Sequence, residues 1–378
     1  MTIPVLWVSG PPGVGKTAVA WEVYRRLARA GAAPAYVDVD QLGMCYPATS
    51  SDPDRHRLKA RNVASLGASF AAAGARGLIV SGVVDPERGP ELDELGVSQV
   101  IAGRLRVDAG GLRVRLSRRK GSGAEPDAAV AEAARYDCST FAHWCVDTTG
   151  LSIHEVADRV MTEIGDWPPN GAKQQGARPS DRRASGRSRG ELLWVSGATG
   201  VGKSTVGFRV YLTLLRSGAT AAYVDADQIG FCSTAPDDHA LRAQNLAALW
   251  DNFHAAGARR AVVVGPVSTP AEALRYERAL PLSRITWCRL HVNDEELTRR
   301  ILTRQDGGGW AQPGDPLRDQ PREKLLRVAG RAIADAASLE RHDVGLRIDV
   351  ADLTVDDAAG AVLKGAQWIG HDDPRHGR

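Results

Sequence analysis

Two glycine-rich segments hold the residues of this 378-residue chain that are best suited to chemistry. Each has the pattern G-x-x-x-x-G-K-[ST], in which glycines precede a lysine and a hydroxyl residue. Such glycines let backbone N–H groups turn toward an anion, while the lysine adds positive charge and the hydroxyl can ligate Mg²⁺. The residues are Gly10, Gly13, Gly15, Lys16 and Thr17 in the first segment, and Gly197, Gly200, Gly202, Lys203 and Ser204 in the second. The pattern therefore predicts two binding sites for the phosphates of a nucleotide.

A pair of acids follows each segment, at the end of the next apolar run. Asp38 and Asp40 end the first run, and Asp225 and Asp227 end the second. Alternation along a strand predicts that both carboxylates of a pair share one face, at the sheet edge where α/β folds bind ligands. There, one acid can hold a metal-bound water and the other can accept the proton of an attacking hydroxyl. A helix cap plus a surface acid is the alternative interpretation.

The motifs occur twice because the sequence contains an internal repeat. Residues 7–17 return as 194–204, and residues 35–41 return as 222–228. This self-similarity predicts a tandem duplication of one structural unit. We expect an N-terminal domain over 1–167, a flexible basic linker over 168–190, a C-terminal domain over 191–370 and a disordered tail over 371–378. An internal pseudo-dimer is compatible with this organisation, and the oligomeric state is left open.

Alternating strands and helices must position these motifs. Short apolar runs predict buried strands over 5–9, 78–81, 193–196 and 261–264. Helices are predicted over 16–30 and 203–217, where Gly31 and Gly218 provide the stop. Further strands are expected near Leu105 and Leu290, and others end near Asp147 and Asp349. The series predicts two tandem three-layer α/β/α domains, each with a mainly parallel five-stranded sheet.

Composition and charge exclude several classes of protein. Hydrophobic residues make up 43% and charged residues 25%, which is typical of globular domains. No apolar run approaches the roughly 20 residues of a membrane helix, and the N-terminus shows no secretion signal. Five scattered cysteines form no C-x-x-C pair, which disfavours a zinc site or disulfide framework and favours a cytoplasmic location. The net charge of +3 is too small to imply a polyanionic partner, so a nucleic-acid-binding role for the basic linker is only the alternative.

Absent motifs narrow the classes of nucleotide-binding protein. The strands over 78–81 and 261–264 end without the acid that AAA+ and helicase motors carry, and no N-K-x-D motif for guanine is present. With its acid pairs and an L-x-x-R-x-x-x-R helix, the sequence resembles the small-molecule and nucleotide kinases of the P-loop superfamily. Shikimate kinase, gluconate kinase, adenylylsulfate kinase and chloramphenicol phosphotransferase belong to this group. The resemblance implies ATP and Mg²⁺ as cofactors, and a small-molecule hydroxyl or phosphate as the phosphoryl acceptor.

The resemblance also implies roles for individual residues. Lys16 and Lys203 would contact the phosphates. Asp38 and Asp225 would serve the metal together with Thr17 and Ser204, and Asp40 and Asp227 would serve the acceptor hydroxyl. Arginines of a helix that leads into a closing lid would stabilise the transferred charge; they are Arg115, Arg119, Arg300 and Arg304. The lid itself would span 306–321 in the second copy and a shorter stretch, 121–126, in the first.

A second repeated element, P-D-x-H-x-L-[KR]-A-x-N, is the candidate acceptor pocket. It supplies His56 and Asn62 in the first copy, and His239 and Asn245 in the second. The alternative is structural, with the histidine at a helix start and the asparagine packed beside the sheet. Two other functions also stay open: a non-catalytic ATP-sensing regulator, and a nucleic-acid-associated P-loop ATPase.

Overall fold

The structure is a computed structural model that describes residues 3–97, 99–117, 125–169, 186–304, 317 and 320–368. The chain divides into two compact units. Unit 1 comprises Met1–Met44, Ala48–Ala184 and Gln228–Asn252, and unit 2 comprises Cys45–Pro47, Ser185–Asp227 and Phe253–Arg378. Each unit therefore includes a short segment of the other sequence repeat, and the domain limits at 167 and 191 stay predictions. Most of the linker and all of the tail, 371–378, lie outside the described residues.

Strands and helices alternate along both repeats. The strands are β1 (Val5–Ser9), β2 (Pro34–Asp38), β3 (Cys45–Tyr46), β4 (Gly77–Ser81), β5 (Val100–Arg106), β6 (Trp144–Asp147), β7 (Gly190–Ser196), β8 (Ala221–Asp225), β9 (Arg260–Val264), β10 (Ser283–His291) and β11 (Leu346–Asp349). The helices are α1 (Lys16–Arg29), α2 (Val39–Leu42), α3 (His56–Ala72), α4 (Leu92–Leu95), α5 (Ala109–Ser117), α6 (Pro126–Asp137), α7 (Ile153–Ile164), α8 (Lys203–Arg216), α9 (His239–Ala255), α10 (Pro270–Ala279), α11 (Asp294–Thr303), α12 (Arg322–His342) and α13 (Val355–Gly365).

Unit 1 is built on a parallel sheet with the strand order β2-β4-β1-β5-β6. Val5 of β1 stands opposite Leu78 on one side and Val100 on the other. Every residue of β1, β2 and β4 is buried, as expected of apolar runs in a parallel sheet that is covered on both faces. The core packs the sheet against α1 and α7, which contribute residues such as Val23 and Val160. The predicted α/β class is confirmed here.

Unit 2 has the strand order β11-β10-β7-β9-β8-β3, and all neighbours are parallel except the last pair. Strand β3 pairs antiparallel with β8, with Cys45 opposite Ala222. The edge strand β2 of unit 1 has a similar neighbour, because the Tyr36 N–H donates to the Phe231 carbonyl at 2.9 Å. The five parallel strands were predicted, whereas these short edge segments were not, since two residues carry no periodicity.

The helices that follow β1 and β7 begin at Lys16 and Lys203, as predicted, and end one residue before the predicted limit. Gly31 and Gly218 adopt positive φ angles of 74° and 83°, which suits a glycine just after a helix. Among the described residues, no helix is both long enough and apolar enough to cross a membrane.

Candidate functional site

The first glycine-rich loop connects β1 to α1 in unit 1. Gly10, Gly13 and Gly15 have φ angles of 138°, 83° and 103°, which residues with a Cβ rarely adopt. At Gly10 a Cβ would also lie 2.5 Å from the carbonyl oxygen of Leu105. The loop ends at the first turn of α1, whose free N–H groups attract anions. The backbone therefore forms the cradle that the sequence predicts.

The second loop, in unit 2, has the same construction between β7 and α8. Gly197, Gly200 and Gly202 have φ angles of 140°, 86° and 109°. A Cβ at Gly197 would lie 2.7 Å from the carbonyl oxygen of Leu290. Both repeats therefore maintain a backbone that only glycine fits, at the place where phosphates would bind.

The loop lysines lie over these cradles. Lys16 Nζ donates to the Pro11 carbonyl at 3.0 Å, and Lys203 Nζ donates to the carbonyls of Gly197 and Ala198 at 2.9 and 3.1 Å. Burial lowers the pKa of both lysines, and the nearby acids oppose this shift. Each ammonium is positioned to contact a phosphate oxygen once one enters the loop.

A hydroxyl and a buried carboxylate meet beside each lysine. Thr17 Oγ1 donates to Asp38 Oδ2 at 2.8 Å, and Ser204 Oγ donates to Asp225 Oδ2 at 3.3 Å. Burial, followed by the charge of Asp40, raises the pKa of Asp38 to about 6. A cation would relieve this unfavourable environment, and oxygen donors suit the hard ion Mg²⁺. The donor set therefore fits the predicted metal.

The predicted strand position of the second acids is wrong. Strand β2 ends at Asp38, and Asp40 lies in the helical turn α2 that follows. Asp38 Oδ1 accepts the Asp40 N–H at 3.0 Å, and Asp225 Oδ1 accepts the Asp227 N–H at 3.0 Å. The first acid of each pair thus caps the next turn, which bends the chain away from the strand. Alternation along a strand therefore does not determine where Asp40 points.

A buried lysine that sequence reasoning missed restrains Asp40. Lys59 Nζ lies 3.0 Å from Asp40 Oδ1, and the Lys59 side chain is only 7% exposed, whereas that of Asp40 is 45% exposed. Lys59 projects from α3 and packs against Gly43, where a Cβ would lie 2.6 Å from Lys59 Cε. The corresponding position of the second repeat is Arg242, which pairs with Asp237 at 3.0 Å. The recurrence of a basic residue at this position was the signal in the sequence that could have identified Lys59.

Two of the predicted lid arginines brace the phosphate loops. Arg115 Nη1 donates to the Val14 carbonyl and to Thr148 Oγ1, both at 2.9 Å. Arg300 donates to the carbonyls of Val201 and Val350, both at 2.9 Å. These contacts tie each loop to the segment after the last strand, and a charge-stabilising role for both guanidinium groups stays a prediction.

Of the remaining lid residues, Arg304 follows α11 in unit 2. Arg119 lies outside the described residues, as does most of both predicted lid segments.

The asparagines of the repeated element have structural partners. Asn62 is fully buried, and its Nδ2 donates to the Leu42 carbonyl at 2.7 Å. Asn245 is equally buried and donates to the Ile229 carbonyl at 2.7 Å. Their predicted role as acceptor ligands is therefore wrong, because each amide is held by the turn after the acid pair. These contacts agree with the alternative interpretation to the extent that each asparagine has a structural role.

The histidines of the element begin helices. His56 starts α3 and is half-buried; burial, followed by the charge of Lys59, lowers its pKa. The carboxylates of Asp54 and Asp85 act in the opposite direction. His239 starts α9 and belongs to unit 1, whereas Asp227 belongs to unit 2. An acceptor-binding role therefore stays a prediction for both histidines.

A cavity of about 430 Å³ adjoins the phosphate loop of unit 2. Its walls come from the loop and α8, from the end of α11, and from the segment between β11 and α13; they include Gly202, Thr205, Arg304, Val350, Leu353 and Val355. The lining combines apolar side chains with three threonines and with Arg299, Arg300 and Arg304.

Among known proteins, the chain is similar to solved structures. No protein-family model and no curated protein matches the chain. A sugar kinase from Janibacter sp. is 19% identical, over 43% of this chain and 94% of its own, with a TM-score of 0.33. A gluconokinase from Sinorhizobium meliloti is 16% identical over 47% and 92%, also with a TM-score of 0.33. The APS kinase of Mycobacterium tuberculosis, in complex with AMPPNP and APS, is 19% identical over 47% and 98%, with a TM-score of 0.30.

These are kinases of the kind that the sequence resemblance predicts, and each match spans less than half of this chain. With identities and TM-scores this low, the likeness carries no argument about activity.

Proposed function

We propose that this protein is an ATP- and Mg²⁺-dependent phosphotransferase that moves the γ-phosphoryl group of ATP to a hydroxyl or phosphate of a small molecule. One observation carries the proposal, and it occurs in both units. A glycine loop with the required positive φ angles leads into a helix, and its hydroxyl residue contacts a buried carboxylate at the end of the next strand along the chain. Nucleotide kinases need a phosphate cradle and a metal site side by side in this way.

The phosphate loops bind the triphosphate. Backbone N–H groups of the loop and the first turn of α1 or α8 surround the phosphates. Lys16 and Lys203 exchange their loop carbonyl partners for phosphate oxygens. Thr17 with Asp38, and Ser204 with Asp225, hold Mg²⁺, which neutralises part of the charge on the phosphates when it is bound.

The second acid of each pair serves the acceptor. Asp40 is more exposed than Asp38, and its Oδ1 is held by the buried Lys59. Restraint from one side lets the carboxylate orient an acceptor hydroxyl and accept its proton during transfer. We assign the same role to Asp227 in unit 2. Asn62 and Asn245 are left out of the reacting groups, because both are fully buried and donate to backbone carbonyls. Arg115 and Arg300 hold the phosphate loops in place.

The cavity in unit 2 is the proposed site of the nucleotide base. It lies beside Gly202 and Thr205, next to the residues that would hold the phosphates. Arg304 forms part of the same wall. A base bound here would place the triphosphate along the loop toward Asp225.

The proposal is tested by acceptor-dependent ADP release with MgATP and a small-molecule library. We expect Lys16→Ala and Lys203→Ala, made singly, to remove the turnover of their own units, and the double variant to be inactive. Exposed residues of the neighbouring helices provide matched controls, Arg29→Ala for unit 1 and Lys364→Ala for unit 2.

ATP binding without any acceptor-stimulated turnover would instead favour a sensor. Stimulation by DNA or RNA with strong salt dependence would favour a nucleic-acid ATPase.

A further inference from the structure

Helix α6 of unit 1 is anchored over the acceptor side of the site. The guanidinium of Arg104, on β5, donates to the Tyr136 carbonyl near the end of the helix and pairs with Asp137 at 3.1 Å. The buried Tyr136 hydroxyl donates to the Val84 carbonyl at 2.8 Å and accepts the Val84 N–H at 3.1 Å. Val84 follows β4 by three residues, so these bonds fix the helix beside the carboxyl end of the sheet.

Glu132 lies one helical turn before Tyr136 and therefore on the same face of α6. Its side chain is half-buried, and the charges of Lys16, Asp40 and Lys59 all act on its carboxylate. Burial raises the pKa of Glu132, and Lys16 is the strongest influence in the opposite direction. The same face of α6 holds Val84, which lies two residues after Gly82, and a Cβ at Gly82 would lie 3.3 Å from Asp40 Oδ2. Glu132 is therefore a third carboxylate on the Asp40 side of the site.

Nothing in the described part of the chain hydrogen-bonds or ion-pairs with the Glu132 carboxylate. The neighbouring cations have other partners, since Lys59 lies 3.0 Å from Asp40 and Arg135 lies 3.2 Å from Glu87. Lys16 becomes the partner of a phosphate when ATP binds. A half-buried carboxylate that has no partner among the described residues is unfavourable, and a ligand that donates hydrogen bonds and carries positive charge relieves this cost.

We propose that Glu132 selects the acceptor of unit 1, which is a hydroxylated small molecule that carries a protonated amine close to the reacting hydroxyl. This inference rests on the proposed phosphotransfer and names its substrate class. The carboxylate pairs with the ammonium group, and it repels acceptors that carry a carboxylate, sulfate or phosphate at that place.

The transfer step itself does not use Glu132 chemically. The acceptor oxygen forms a bond to the γ-phosphorus, the bond from the γ-phosphorus to the β–γ bridging oxygen breaks, and ADP leaves with that electron pair. The hydroxyl proton passes to Asp40, and the ammonium group keeps its protons throughout. Glu132 is therefore a specificity-determining residue.

The corresponding position of unit 2 differs in a way that predicts weaker selection. There, the Arg289 guanidinium donates to the Leu339 carbonyl of α12, and Asp335 lies one turn before Leu339. Asp335 acts electrostatically on Lys203, but it is exposed and one methylene shorter than Glu132. Better hydration and shorter reach make it a poorer partner for an ammonium group.

The experiment compares acceptors of similar size with positive, zero or negative charge, in full-length protein that carries Lys203→Ala so that unit 1 alone turns over. The probes are glucosamine, glucose and gluconate, with ethanolamine, ethylene glycol and glycolate as a smaller set. ADP release with MgATP is measured for each. The amine of a set should be the preferred acceptor, and Glu132→Gln should raise its KM about tenfold or more while kcat changes by about twofold at most.

Asp127→Asn is the matched control, because it removes a carboxylate from the same helix at a side chain that is 88% exposed. It should leave the KM for the amine unchanged. Circular dichroism and thermal unfolding of both variants establish that each is folded.

Three results overturn the inference, and they are distinguishable from failure of the proposed function. Preferred phosphorylation of a neutral or anionic probe, or an unchanged KM for the amine in Glu132→Gln, removes the role of Glu132 and leaves the phosphotransferase intact. Phosphorylation of none of the probes, with Lys16-dependent MgATP binding preserved, also overturns the assignment to an amine. The phosphotransferase itself fails only if the small-molecule library yields no acceptor either.

Discussion

Glycine-to-alanine substitutions in the first phosphate loop separate two reasons why glycine is needed there: a positive φ angle, and a lack of space for a Cβ. Gly10→Ala places a Cβ 2.5 Å from the Leu105 carbonyl oxygen, at a φ angle of 138°. The backbone strain costs about 1–3 kcal/mol, and the steric conflict adds about 1–3 kcal/mol. Gly15→Ala has a φ angle of 103° but no heavy atom within 4 Å of the new Cβ, so it incurs only the strain.

We therefore expect Gly10→Ala to lower the free energy of unfolding more than Gly15→Ala does, by about 1–3 kcal/mol. Urea unfolding of the full chain, followed by tryptophan fluorescence, measures this difference. Gly31→Ala is the control, because Gly31 also has a positive φ angle and an open Cβ position but lies at the far end of α1.

The two open positions should differ in MgATP binding rather than in stability. Gly15→Ala should weaken MgATP binding to unit 1, measured calorimetrically in the Lys203→Ala background, because it changes the loop at the start of α1. Gly31→Ala should leave that binding unchanged. A Gly15→Ala variant as destabilised as Gly10→Ala, or weaker MgATP binding in Gly31→Ala, would refute the loop geometry described here.

Three further predictions follow from the contacts of unit 1. Because burial raises the pKa of Asp38 to about 6, protons should compete with Mg²⁺ for this carboxylate below about pH 6. MgATP affinity, measured calorimetrically from pH 8 to 5, should therefore fall below about pH 6. Asp38→Asn should weaken MgATP binding and remove this pH dependence. Lys59→Met should lower acceptor turnover in unit 1 about tenfold by releasing Asp40, whereas Lys59→Arg should retain more of the turnover. Equal turnover in the wild type and in Lys59→Met would exclude the idea that Lys59 restrains Asp40 for catalysis. Asn62→Ala should lower the free energy of unfolding by about 1–3 kcal/mol, because it leaves the buried Leu42 carbonyl without its donor; weaker MgATP binding in a folded variant would contradict a purely structural role.

The features that the sequence predicted correctly are those fixed by neighbouring residues. Apolar runs bounded by glycine identified the strands, and the order of glycines before Lys16 and Lys203 identified the loops. Strand β1 and the start of α1 lie where the sequence predicts them. Local signals suffice for these elements, because steric rules for glycine and apolar periodicity act within a few residues.

The features that the sequence did not predict depend on partners distant in the chain. Asn62 has an amide that suits an acceptor, yet it bonds a carbonyl 20 residues away. Arg115 braces a loop 101 residues away. Lys59 was missed because the recurrence of a basic residue at its position does not show which acid it meets. A side chain's chemistry is visible in the sequence, whereas the group it contacts is set by tertiary packing.

The number of MgATP molecules bound per chain tests the central claim most directly, and titration calorimetry of the wild type and the lysine variants provides it. We predict two bound molecules for the wild type, one for Lys16→Ala or Lys203→Ala alone, and none for the double variant. Undiminished binding in the double variant would contradict the claim that these two loops hold the nucleotide.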